Sequence, residues 1–88
     1  MSSKIPPNRR KIILEDIIMI TLSDIQKRLS DAIKHSGYTQ TALANNLSIG
    51  QQTISHYVKG DKLPALDTLA NLCKILDISP AYILCFED

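Results

Sequence analysis

The run Gln51-Gln52-Thr53-Ile54-Ser55-His56 concentrates side chains able to form paired hydrogen bonds with a planar polar partner. If the run is helical with Ile54 facing inward, steps of about 100° per residue put Gln52, Ser55, His56 and Lys59 on the opposite face. Gln51 then lies at the N-terminal tip. A glutamine amide carries a donor beside an acceptor, which matches N6 and N7 of adenine in a major groove, and Ser or His can reach base edges or phosphates. A polar outer face is the default for any surface helix, so its meaning depends on what the inner face does. Other chemistry finds less support. Cys73 and Cys85 form no CxxC pair, and His35 and His56 lack zinc-finger spacing, so two buried, free thiols in apolar surroundings are expected, with no metal and no cofactor. No motif places a Gly-rich phosphate loop or a nucleophile beside a base, and an enzyme is not expected.

The elements that would position this face follow from periodicity and caps. Thr21 or Ser23 can cap a helix whose Leu22, Ile25, Leu29, Ala32 and Ile33 form one apolar stripe, with Gly37 as a left-handed terminator. Thr39 caps a short helix from Gln40 to about Asn46, and Ser48-Ile49-Gly50 breaks it. A third helix runs from Gln51 to Lys59 and stops at Gly60-Asp61. A fourth begins at Asp67 or nearby, with Leu66, Leu69, Ala70, Leu72, Cys73 and Leu76 apolar. Ser79-Pro80 opens a fifth, in which Ala81, Ile83, Leu84 and Phe86 complete the core. Tyr38, Tyr82 and Phe86 are read as core or interface residues. The fold class expected is an all-α bundle of five helices.

Within it, Gln40, Leu43, Ala44, Ile49, Ile54 and Tyr57 fall at successive offsets of 3, 1, 5, 5 and 3. Two helices meeting steeply across a short turn need this arrangement: a small Ala44 where the second helix crosses, Ile49 plugging the turn, and Leu43, Ile54 and Tyr57 filling the angle. The stretch from Leu22 to Cys85 resembles the phage-repressor and Cro-like helix-turn-helix family, also called the Xre family. The resemblance is carried by Thr39-Gln40 with Leu43-Ala44, the Gln51-Gln52-Thr53-Ile54-Ser55 opening, Tyr57-Val58-Lys59-Gly60 with Pro64, and the tail from Leu69 through Ser79-Pro80 to Leu84. It implies a lambda-repressor-like bundle that binds double-stranded operator DNA as a homodimer, a transcriptional regulator of repressor type in the cytoplasm, associated with the nucleoid. It also implies that Gln51, Gln52 and His56, with Ser55, meet bases, that Thr39 and Gln40 meet a phosphate, and that Lys59 and Lys62 meet the backbone beyond. The alternative is an antitoxin-type or other small protein-interaction module on the same fold. Two departures stand out. Ser48 occupies the turn position where the family usually has Gly, so either Ser48 is left-handed at a cost of order 1 kcal/mol or the turn shifts and Gly50 takes the strain. Val58 replaces a common acidic residue, so packing should replace an ion pair.

The 88 residues favour one domain, and 44% hydrophobic with 22% charged residues reads as globular. The division expected is an N-terminal extension, residues 1–20, and a helix-turn-helix domain, residues 21–88. The net charge of +1 is no argument for nucleic acid by itself, and it conceals an asymmetry. The extension holds Lys4, Arg9, Arg10 and Lys11 against Glu15 and Asp16, whereas six basic and seven acidic residues follow it. Arg9, Arg10 and Lys11 are read either as an arm reaching DNA or as a solvated tail. Seven of the nine residues 12–20 are Ile, Leu or Met, so this segment is expected to pack as an added helix or strand, on its own domain or across a dimer. No signal peptide and no membrane span are expected.

Overall fold

In the computed structural model, residues 19–88 are described, and they form five α-helices with no strand among them. These are α1 (Leu22–His35), α2 (Gln40–Leu47), α3 (Gln51–Lys59), α4 (Leu66–Leu76) and α5 (Pro80–Ile83). The all-α, five-helix expectation therefore holds, while Arg9, Arg10, Lys11 and residues 12–18 lie outside the described residues.

The caps set the boundaries. The Thr21 hydroxyl accepts from the Asp24 backbone N–H, and the Asp24 carboxylate accepts from the Thr21 N–H, each at 3.2 Å, a reciprocal box that starts α1. Thr39 Oγ1 accepts from the Ala42 N–H at 3.0 Å and starts α2. Ser79 does the same for the Ala81 N–H at 3.1 Å, with Pro80 at the first helical position. Helix α4 starts one residue earlier than expected, after Ala65, and Asp67 instead sits in its first turn, where a carboxylate suits the positive helix end.

Helices α2, α3 and α4 close in one way, each with a left-handed residue after the last turn and two crossed backbone bonds. At α2 the left-handed residue is Ser48 (φ 56°, ψ 42°); its N–H reaches the Asn45 carbonyl at 3.2 Å and the Ile49 N–H reaches Ala44 at 3.0 Å. Gly50 is ordinary (φ −75°), so the strain is Ser48's alone. At α3, Gly60 (φ 81°) bonds back to Tyr57 at 3.2 Å, and Asp61 to His56 at 3.2 Å. At α4, Asp77 (φ 55°) and Ile78 bond back to Lys74 and Cys73.

The core draws Leu29 and Ile33 from α1, Leu43 and Ala44 from α2, Ile54 and Tyr57 from α3, Leu69, Leu72 and Cys73 from α4, and Ile83 from α5. Ile49 and Val58 pack against it half-buried, so Val58 contributes packing as expected. Four apolar residues assigned inward face solvent instead: Leu22 (65% exposed), Leu66 (85%), Phe86 (77%) and Ala70. Leu22 and Leu66 are the first residues of their helices, and packing on the core begins about one turn later, at Ile25 and Leu69. Phe86 follows Cys85, whose left-handed backbone (φ 69°) turns the chain away from the face that buries Ile83. Tyr38 is also exposed, and Cys85 is only half-buried, unlike Cys73.

Two polar ties join α1 to the rest. The buried Ser30 hydroxyl donates to the Val58 carbonyl at 2.6 Å, locking α1 to the last turn of α3. Arg28 donates through one guanidinium nitrogen to the Tyr82 carbonyl at 2.8 Å and to the Glu87 carbonyl, and its guanidinium lies 4.5 Å from the Tyr82 ring centroid.

Candidate nucleic-acid interface

Helix α3 is divided sharply by environment. Ile54 has no solvent exposure and Tyr57 has 4%, whereas Gln51, Gln52, His56 and Lys59 are exposed and Ser55 is half-buried. The inward set is complete: Leu43, Ala44, Ile54 and Tyr57 are all buried, and Ala44 accepts the Ile49 N–H that folds the turn back on α2. A helix gripped on one side this firmly presents its other side at a fixed pitch. Gly50, at the N-cap, has no side chain to cap α3, so the first backbone N–H groups beside Gln51 and Gln52 have no side-chain partner there.

The other residues expected at this surface divide into two groups. Thr39 is exposed, and its oxygen already accepts the Ala42 N–H, which leaves the hydroxyl hydrogen as the group it can offer. Gln40 is half-buried at the first position of α2. Lys62 is exposed in the loop after α3. Lys59 borders a cleft of about 330 Å³ between α1 and the end of α3, with Lys27, Asp31 and Lys34 on the opposite wall. It therefore stands apart from the tip formed by Gln51 and Gln52. Along the α1 wall of this cleft Lys27 pairs with Asp31 at 3.1 Å, and this ammonium holds the Asp31 carboxyl below its ordinary range.

Three participants escaped the periodicity argument. Asp61 Oδ1 lies 2.8 Å from His56 Nδ1 on the exposed side of α3. A signal for it exists in the sequence: a helix stopped by a left-handed Gly folds the second residue beyond back over the fourth from the end, which here means Asp61 over His56. Ser30 and Arg28 carry no such signal, because their partners are carbonyls set by tertiary packing. Burial raises both the Tyr57 hydroxyl and the Cys73 thiol above their ordinary pKa, so each stays protonated and uncharged within the core. Among the described residues no group of three or more His, Cys, Asp or Glu side chains could hold a metal. No helix among them is long and apolar enough to cross a membrane.

The arrangement offers hydrogen-bond donors and acceptors on a rigid helix, flanked by lysines. Residues 29–83 match the sequence model of a helix-turn-helix family. A curated relative, the HTH-type transcriptional regulator ImmR of Bacillus subtilis (strain 168), is 38% identical over 58 residues, which cover 66% of this chain and 46% of that protein. The chain thus spans less than half the length of the relative it matches. No solved structure matches it. From the second half of α1 to the end of α5, with the corner between α2 and α3 at its centre, this chain belongs to the helix-turn-helix family.

Proposed function

We propose that the chain is a sequence-specific double-stranded DNA-binding transcriptional regulator, acting as a repressor, that reads an operator's major groove with α3. The observation that carries this reading is the exposed set Gln51, Gln52 and His56 on a helix whose opposite face buries Ile54 and Tyr57 in the core. The family match and the name of the Bacillus relative support it. In this reading Gln51, Gln52, Ser55 and His56 contact bases. Thr39, Gln40, Lys59 and Lys62 contact phosphates, and Arg9, Arg10 and Lys11 form an arm. Residues 21–88 are the DNA-binding domain, residues 1–20 an extension, and the protein is a cytoplasmic homodimer associated with the nucleoid.

Selection of bound sequences from random duplex DNA tests this. The expected winners are dyad-symmetric, with half-sites about one helical turn apart, and affinity falls as salt rises from about 50 to 200 mM. Gln52→Ala should then lose about 1–3 kcal/mol on the selected site and much less on random duplex. Selected sites without a dyad would count against the homodimer, and a flat salt response against DNA as the partner. A second reading, an antitoxin-type protein-interaction module, draws on the exposed Met19, Ile20, Leu22 and Phe86. It predicts the flat response.

A further inference from the structure

His56 is held twice by one residue. Gly60 turns the chain back, the Asp61 N–H bonds to the His56 carbonyl at 3.2 Å, and Asp61 Oδ1 sits 2.8 Å from His56 Nδ1. A carboxylate only accepts, so Nδ1 must carry the hydrogen and donate. A neutral imidazole has one N–H, and with Nδ1 protonated, Nε2 is a bare acceptor. No protein group among the described residues hydrogen-bonds to Nε2, and the His56 side chain is 48% exposed.

The order matters for reading DNA. An acceptor in the major groove pairs with an exocyclic amino group, N4 of cytosine or N6 of adenine, and is repelled by the O6 and N7 acceptors of guanine. The opposite tautomer, with N–H at Nε2, would have the reverse preference. Resting on the DNA-binding reading above, we propose that Asp61 is a positioning residue for base recognition: it fixes the tautomer and orientation of His56, so that Nε2 accepts from an exocyclic amino group. Asp61 also brings a negative charge close to the phosphates, which lowers affinity for duplex of any sequence. One carboxylate thus raises discrimination and weakens indiscriminate binding.

The test uses the full chain in mildly alkaline buffer, where imidazoles carry a single N–H. The DNA is the selected duplex with one amino group removed at a time (purine for adenine, 2-pyrimidinone for cytosine). At one base pair of each half-site, besides any adenine that Gln51 or Gln52 reads, the deletion should weaken the parent by roughly tenfold, the equivalent of one good base contact. The identity of that base separates adenine from cytosine. Asp61→Ala should be indifferent to the deletion at that pair, yet bind random duplex roughly two- to threefold more tightly. Asp61→Asn, which keeps an acceptor oxygen without the charge, should restore the amino-group preference and retain the gain on random duplex. Equal sensitivity to the deletion in the parent and in Asp61→Ala overturns the proposal. Nitrogen-15 spectra of the ring decide the tautomer without DNA: N–H at Nδ1 in the parent shifts toward Nε2 in Asp61→Ala, and a parent ring protonated at Nε2 overturns the proposal directly. Failure of every variant to bind duplex would instead sink the DNA-binding reading, while the ring spectra still report on Asp61.

Discussion

The ends of α2 and α3 are built on one backbone pattern and put to opposite uses. Both finish with a left-handed residue and a back-folded N–H, Ser48 then Ile49 in one case and Gly60 then Asp61 in the other. At α2 the back-folded residue is apolar and packs on the core, so the turn anchors α2 to α3. At α3 it is a carboxylate on the exposed face, where it holds His56. The device itself is indifferent to function. The side chain at the second position beyond the helix decides whether the end is fastened inward or arms the surface.

Exchanging the two uses should cost most where the core loses its plug. Ile49→Asp puts the α3 type of residue into the α2 turn and should destabilise by about 1.5–3 kcal/mol, by loss of burial and exposure of the core to a carboxylate. Chemical denaturation measures it, and a parent-like midpoint would mean that Ile49 does not anchor the turn. Gly60→Ala should cost about 1 kcal/mol. Its Cβ would meet only Gln26 Cβ at 3.9 Å, an ordinary contact, so the loss is purely that of a left-handed backbone. Ser48→Gly tests the same strain with the opposite sign and should gain about 0.5 kcal/mol, relief of the left-handed cost being partly offset by a more flexible unfolded chain. Asp61→Ala should leave the unfolding free energy within about 0.5 kcal/mol of the parent, because the pair it breaks is exposed. A larger loss would make Asp61 a structural cap and blur the contrast.

What the sequence revealed and what it hid follow the range of the interactions. Caps and stops act within four residues, so Thr21, Thr39, Ser79, Gly37 and Gly60 marked the helices closely. The inward quartet of Leu43, Ala44, Ile54 and Tyr57 was legible because two short helices joined by a tight turn can meet in few ways. The exposure of Leu22, Leu66 and Phe86 was not legible, since hydrophobicity states what a side chain prefers and only a neighbouring element can cover it. The choice between a strained Ser48 and a shifted turn was open for the same reason: local cost pointed toward Gly50, and the packing of Ile49 prevailed. Of the candidate site, the exposed polar face was foreseen as a set of side chains, while the pairing that orients one of them was not.

The Arg28 tie has a kinetic consequence. Helix α5 spans four residues, far fewer than the ~12–15 that sustain an isolated helix in water. Its order is borrowed from the burial of Ile83 and from a guanidinium 54 positions away in the chain. The corner between α2 and α3, by contrast, closes over a turn of a few residues. Short loops close early and cheaply, long ones late. The C-terminal end should therefore be the last part to dock on folding and the first to open in the native state. Its amides, from Ile83 to Phe86, would exchange their hydrogens for deuterium while those of Leu43, Ile54 and Tyr57 remain protected, as two cooperative units of unequal free energy in one small bundle.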